Sequence, residues 1–128
     1  MKKYHIAVVG ATGAVGTEML KILEERDFPI ESIRLFAHES EAGKKITFKG
    51  SEFTVEKVDE DNIKGIDIAF FAAGPVSKVL APVFVKNGAV VIDNGSSFRL
   101  DPSVPLVIPE INPEDVDWHS GIISNPNC

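Results

Sequence analysis

A chain of 128 residues with a net charge of −6 and one cysteine, Cys128, is long enough for one compact domain with its own core. The acidic balance and the absence of clustered Lys and Arg argue against a nucleic-acid partner, and no apolar run is long enough to span a membrane. A lone cysteine excludes an internal disulfide framework, and three scattered histidines give no metal-ligand spacing.

The start, Met-Lys-Lys followed by a short strand-like stretch, is not a signal peptide, and with the single thiol it fits a reducing cytoplasm. "YHIAVVG" (Tyr4 to Gly10) is an apolar, β-branched run ending at glycine, the pattern of a buried parallel strand. "AVGTEMLKILEERDF" follows as a helix, with Val15, Met19, Leu20 and Leu23 at helical spacing and Pro29 as its stop. "IESIRLFA" (Ile30 to Ala37) reads as a second strand. "KITFKG" and "SEFTVEKV" read as an antiparallel pair joined through Gly50-Ser51. "DIAFFAAG" (Asp67 to Gly74) is a third core strand. The helix "SKVLAPVFVKNG" follows, with Pro82 early in it and Gly88 at its C-cap. "AVVIDNG" (Ala89 to Gly95) is a fourth core strand, "FRLDPSVPLVIPEINPEDV" is Pro-rich and irregular, and "GIISN" closes as a last strand. Strands alternating with helices, without internal repeat, predict right-handed β-α-β units in a doubly wound, mostly parallel α/β sheet of the Rossmann-like kind.

The turn after the first strand, "GATGAVG", places Gly10, Gly13 and Gly16 at G-x-x-G-x-x-G spacing between a strand and a helix. This is the context of a dinucleotide fingerprint. Glycine permits the tight turn and the approach of a pyrophosphate, and the helix start offers unpaired N–H groups. Thr12 adds a hydroxyl donor; plain helix–strand packing also uses such glycines. The ribose-selecting stretch, roughly 20 residues on, is "FAHESEAGKK". Glu39 and Glu41 would repel a 2′-phosphate if they point inward, whereas Ser40, Lys44 and Lys45 would welcome one, and spacing leaves both open. "AAGPVS" (Ala72 to Ser77) and "DNGSSFR" (Asp93 to Arg99) leave the C-terminal ends of core strands, where open α/β sheets bind ligands. Ser77 fits a ligand loop or a helix N-cap equally, and Arg99 either an anion fork or a solvated charge. His5, in the first strand, reads as structural, and neither His38 nor His119 is an evident base for Cys128.

Taken in order, "VVGATGAVGTEML", "AGKKITF", "FFAAGPVSK", "VIDNGSSFRLDPSVPLVIPEIN" and "SNPNC" resemble the N-terminal half of aspartate-semialdehyde dehydrogenases over nearly the whole chain. N-acetyl-γ-glutamyl-phosphate reductases share the fold and the glycine loop, but their cysteine sits in an N-P-G-C-Y context. "NPNC" with "VPLVIPEIN" therefore favours the semialdehyde enzymes. The resemblance implies reversible, NADPH-linked conversion of L-aspartyl-4-phosphate to L-aspartate 4-semialdehyde, on the aspartate route to lysine, diaminopimelate, methionine and threonine. Cys128 would be the nucleophile that expels phosphate and carries a thioester. The cofactor would lie along Gly10, Thr12, Gly13, Ala14, Val15 and Gly16, with Ser40 and Glu41 at the 2′-phosphate and Ala73 and Gly74 near the nicotinamide. Asn94, Arg99 and Asn127 would hold substrate or its phosphate. A thiol at a helix start is acidified and is a competent nucleophile for an acyl phosphate.

Two departures stand out. The Arg usual at the 2′-phosphate is Ser40 here, with a glutamate on each side, which admits NAD or dual use. The chain also ends at the nucleophile, so the substrate domain, with its general-base His, its carboxylate-binding Arg and most of the interface of a homodimer or homotetramer, is expected to follow. The segment alone is expected to bind cofactor without turnover. A non-catalytic dinucleotide-sensing module is the alternative of another class. An epimerase-like extended dehydrogenase is disfavoured, because it needs a Tyr-x-x-x-Lys pair and the sole tyrosine is Tyr4.

Overall fold

The computed structural model describes residues 2–95, 98, 101–107, 114, 119 and 121–124. In chain order the described elements are β1 (Tyr4–Val9), α1 (Ala14–Glu25), β2 (Ile30–Phe36), a 3-10 turn (Glu39–Glu41), β3 (Lys45–Phe48) and β4 (Ser51–Glu56). There follow β5 (Ile68–Phe71), a second 3-10 turn (Gly74–Val76), α2 (Ser77–Lys86), β6 (Val90–Asp93) and β7 (Ile122–Ser124). They form one sheet in the order β3-β4-β2-β1-β5-β6-β7. Every pairing is parallel except β3 with β4. The predicted doubly wound α/β architecture is the observed one.

Alternation along the central strands explains the layering, because successive side chains face opposite sides of a sheet. Ile6 and Val8 of β1, with Ile33 and Leu35 of β2, pack under Leu20 and Leu23 of α1. Ala7 and Val9, with Phe36 and Phe71, form the other face beneath Ala81 and Phe84 of α2. There Phe84 meets Phe71 and Phe36 edge-on, at ring centroids of 5.2 and 5.9 Å. Both faces of the sheet are thus covered by helix, as parallel strands require.

Local details depart from the sequence reading at turns. Helix α1 stops at Glu25, short of Phe28, because Asp27 adopts a left-handed conformation (φ 48°). The β3–β4 connection is Lys49-Gly50, not Gly50-Ser51: Phe48 pairs with Ser51, and both turn residues have positive φ, the twist that suits a two-residue hairpin. Lys49 reaches Asp27 across 2.9 Å, so the two non-glycine left-handed residues among those described are joined to each other. Pro82 is the sixth residue of α2, not an early one, and sits on its exposed side. Val15, placed on the apolar stripe of α1, is 41% exposed. His5, read as structural, is exposed, and its Nδ1 lies 2.6 Å from Ser32 Oγ.

Candidate functional site

The chain leaves β1 through α1 toward β2 on one side and returns at β5 on the other, so the order in which strands are added reverses between β1 and β5. Ligands of open α/β sheets bind beyond the carboxyl ends of strands at such a reversal. A cleft of about 710 Å³ opens there. The glycine loop after β1, the 3-10 turn after β2, the end of β4 and the segment from Ala72 to Leu80 wall it.

The loop is fixed at its base, since the N–H groups of Gly10 and Ala11 both donate to Phe36 O, at 2.8 and 3.0 Å. Its three glycines answer different demands. Gly10 has φ +88°, and a Cβ there would stand 2.4 Å from Ala72 O at the end of β5. Gly16 is buried; its Cβ would stand 2.0 Å from Gly10 O, so it allows α1 to close on the strand. Gly13 has extended backbone that any residue adopts, and its Cβ would meet only Gly10 O, at 3.6 Å. Gly13 is exposed in the cleft wall and is the N-cap of α1, which receives no side-chain cap and has no acidic residue in its first turn. The first-turn N–H groups are therefore available to an anion.

Beyond β2, His38 caps the 3-10 turn: its Nδ1 accepts from Ser40 N at 3.1 Å and lies 3.0 Å from Ser40 Oγ. Glu41 lines the cleft and is ion-paired with Lys44. That hydrogen bond is the main cause holding the Glu41 carboxyl below the usual range; partial burial opposes it, and the Thr12 hydroxyl and nearby His38 add to it. Glu39 is paired with Lys57 at 3.6 Å, and both line the cleft. Lys45 lies outside the lining and donates instead to Thr54 Oγ1 across the hairpin, at 3.3 Å.

The structure thus brings Gly10, Thr12, Gly13, Ser40, Glu41 and Ala73 into the lining of one cleft. Ala14, Val15, Gly16 and Gly74 lie beside it but not in its lining. Asn94 follows β6 directly, its N–H bonded to Phe71 O at 2.9 Å. Arg99, Asn127 and Cys128 lie outside the described residues. Ser77 neither N-caps α2 nor lines the cleft: it is the first residue of α2, wholly buried, with its hydroxyl unpartnered. Sequence reasoning missed Lys57, Val58 and Leu80. Lys57 enters because β4 inserts beside β2, which a strand-end position could have suggested only with the strand order known.

Fold and cleft define a Rossmann-like α/β domain with an open cleft at the β1–β5 reversal of strand order. The chain belongs to the family described as semialdehyde dehydrogenase, NAD binding domain, whose profile matches residues 5–119. It is 57% identical to an aspartate-semialdehyde dehydrogenase of Aquifex aeolicus, over 98% of this chain and 38% of that protein. The chain therefore spans well under half of that relative's length. Among solved structures, aspartate semialdehyde dehydrogenase II of Vibrio cholerae complexed with ASA matches at 44% identity and TM-score 0.95, covering 99% of this chain and 42% of the other. The Candida albicans aspartate semialdehyde dehydrogenase with NADP matches at 25% identity and TM-score 0.79, covering 96% and 42%. No helix among the described residues is long and apolar enough to cross a membrane.

Proposed function

We propose that residues 1–128 form the dinucleotide-binding domain of a cytoplasmic aspartate-semialdehyde dehydrogenase, whose substrate and dimerisation domain lies in the rest of a longer homodimeric or homotetrameric protein. The observation that carries the reading is Gly13: nothing in its backbone or packing demands glycine, yet it stands bare in the cleft wall at an uncapped helix start. A pyrophosphate needs such a surface. Thr12, Gly13 and the N–H groups of Ala14 and Val15 would hold it, and Ala73 and Gly74 would border the nicotinamide. NADP is the cofactor that family resemblance implies, with NAD or dual use admitted by Ser40 in place of Arg.

In this reading the Cys128 thiolate attacks the acyl carbon of L-aspartyl-4-phosphate. The carbon–oxygen bond to phosphate breaks and phosphate leaves, giving a thioester. A reduced nicotinamide held along the glycine loop would supply a hydride, and Cys128, as the thioester's leaving group, would regain its thiolate as the semialdehyde forms. Arg99, with Asn94 and Asn127, would hold the phosphate and orient the acyl group.

Calorimetric titration of the chain with NADP and NAD in parallel tests the site. Saturable binding of at least one is expected, with a matching thermal shift: ligand at a hundredfold excess over Kd stabilises by about 2.7 kcal/mol. No binding and no shift would overturn the reading. In the longer protein, Cys128→Ser is expected to abolish phosphate-dependent turnover of the semialdehyde; retained turnover would remove the thioester from the mechanism.

A further inference from the structure

The adenosine end of the cleft has an unusual arrangement of charge. Four groups in or next to that end would suit a 2′-phosphate by type: Ser40 and Lys57 in the lining, and Lys44 and Lys45 on the chain just after the turn. Each is already engaged. Ser40 N–H and hydroxyl face His38 Nδ1, Lys44 holds Glu41, Lys45 donates to Thr54, and Lys57 pairs with Glu39. The two carboxylates are not equivalent. The Glu39 side chain is 73% exposed, whereas that of Glu41 is 31% exposed and shares the cleft wall with Thr12 of the glycine loop. Glu41 is therefore the acid fixed between the loop that would carry pyrophosphate and the turn that would carry ribose.

We infer that Glu41, held in the cleft wall by Lys44, selects a dinucleotide with a free ribose 2′-hydroxyl and rejects one with a 2′-phosphate; this deepens, and rests on, the dinucleotide site proposed above. A 2′-hydroxyl donates to a carboxylate, as it does to the acidic residue that follows the second strand in NAD-binding domains. A 2′-phosphate meets like charge at the same place and competes with Glu41 for Lys44. Specificity then arises from a repulsive element as much as an attractive one. The lowered Glu41 carboxyl keeps that charge in place throughout the neutral range. Lys44 also has a second part: once the carboxylate is removed, it is left beside the 2′ position as a free cation.

The test uses two ligand pairs that differ only in the 2′-phosphate, NAD with NADP and ADP-ribose with 2′-phospho-ADP-ribose, titrated against the wild-type chain and Glu41→Gln. The wild type is expected to bind the unphosphorylated member of each pair at least about tenfold more tightly. Glu41→Gln is expected to shrink that ratio to within about threefold, mainly by tightening the phosphorylated ligands, and Lys44→Met added to it should reverse the gain. Unchanged melting of the variants confirms that folding is not the cause. Equal or tighter binding of NADP by the wild type, or a ratio that Glu41→Gln leaves unchanged, overturns the role of Glu41 and leaves the dinucleotide site standing. If none of the four ligands binds the wild type, the site itself falls and this inference with it.

Discussion

Gly10, Gly13 and Gly16 share one loop, yet substitution should separate them cleanly. Gly16→Ala places a Cβ 2.0 Å from a backbone oxygen that no rotamer can move aside. It is expected to destabilise the chain by about 3 kcal/mol, read as a shift of the denaturant midpoint. Gly13→Ser puts a preferred capping residue at the start of α1, with space for its Cβ. Stability is expected to stay within about 1 kcal/mol of wild type while dinucleotide affinity falls at least about tenfold. A large loss of stability in Gly13→Ser would make this glycine structural, and unchanged affinity would remove it from the pyrophosphate site. The spacing of the three glycines was plain in the sequence, but their division of labour was not. The role of Gly10 depends on where Ala72 arrives from the end of β5, a contact that no local pattern encodes.

At the scale of elements, strands were legible because their apolar, β-branched runs are short and bounded by glycine or proline. Their order was not, since pairing β4 beside β2 is a tertiary outcome; Lys57 was missed for that reason. Both misplaced turns involve Asp27 or Lys49 at positive φ, a conformation that only glycine and asparagine announce clearly in sequence. Their ion pair ties the end of α1 to the β3–β4 turn. Hydrogen bonding to Lys49, then its charge, holds the Asp27 carboxyl below the usual range, with Lys3 adding slightly. A carboxyl lowered on folding contributes stability above the ordinary carboxylate range and loses it as pH falls through the lowered value. Asp27→Asn keeps a residue that tolerates the left-handed backbone while removing the charge. The variant is therefore expected to melt slightly lower than wild type at neutral pH, with the difference vanishing in acid. A difference independent of pH would assign the effect to backbone rather than charge.

For the molecule as a whole, the strength of attachment differs from strand to strand. Strand β1 is paired with β2 at six positions and with β5 at four, whereas β4 meets β2 only through Leu35–Val55 and Phe36–Glu56. Val55 is also bonded to Gly43 and Lys44, in the stretch just after Glu41. The hairpin is thus joined to the stretch after Glu41 by two backbone hydrogen bonds and to β2 by two register pairs, fewer than join β1 to either neighbour. Such a region behaves as a separate unit of opening, with a free-energy cost below that of global unfolding. Amide protons at Gly43 and Val55 are expected to exchange at least about tenfold faster than those of β1 and β5, and to slow together when dinucleotide binds. Uniform protection across the sheet would contradict this. The wall that discriminates between cofactors would then also be the wall that yields to admit them, so a substitution that stiffens the hairpin turn should slow ligand entry and exit while leaving the choice of ligand intact.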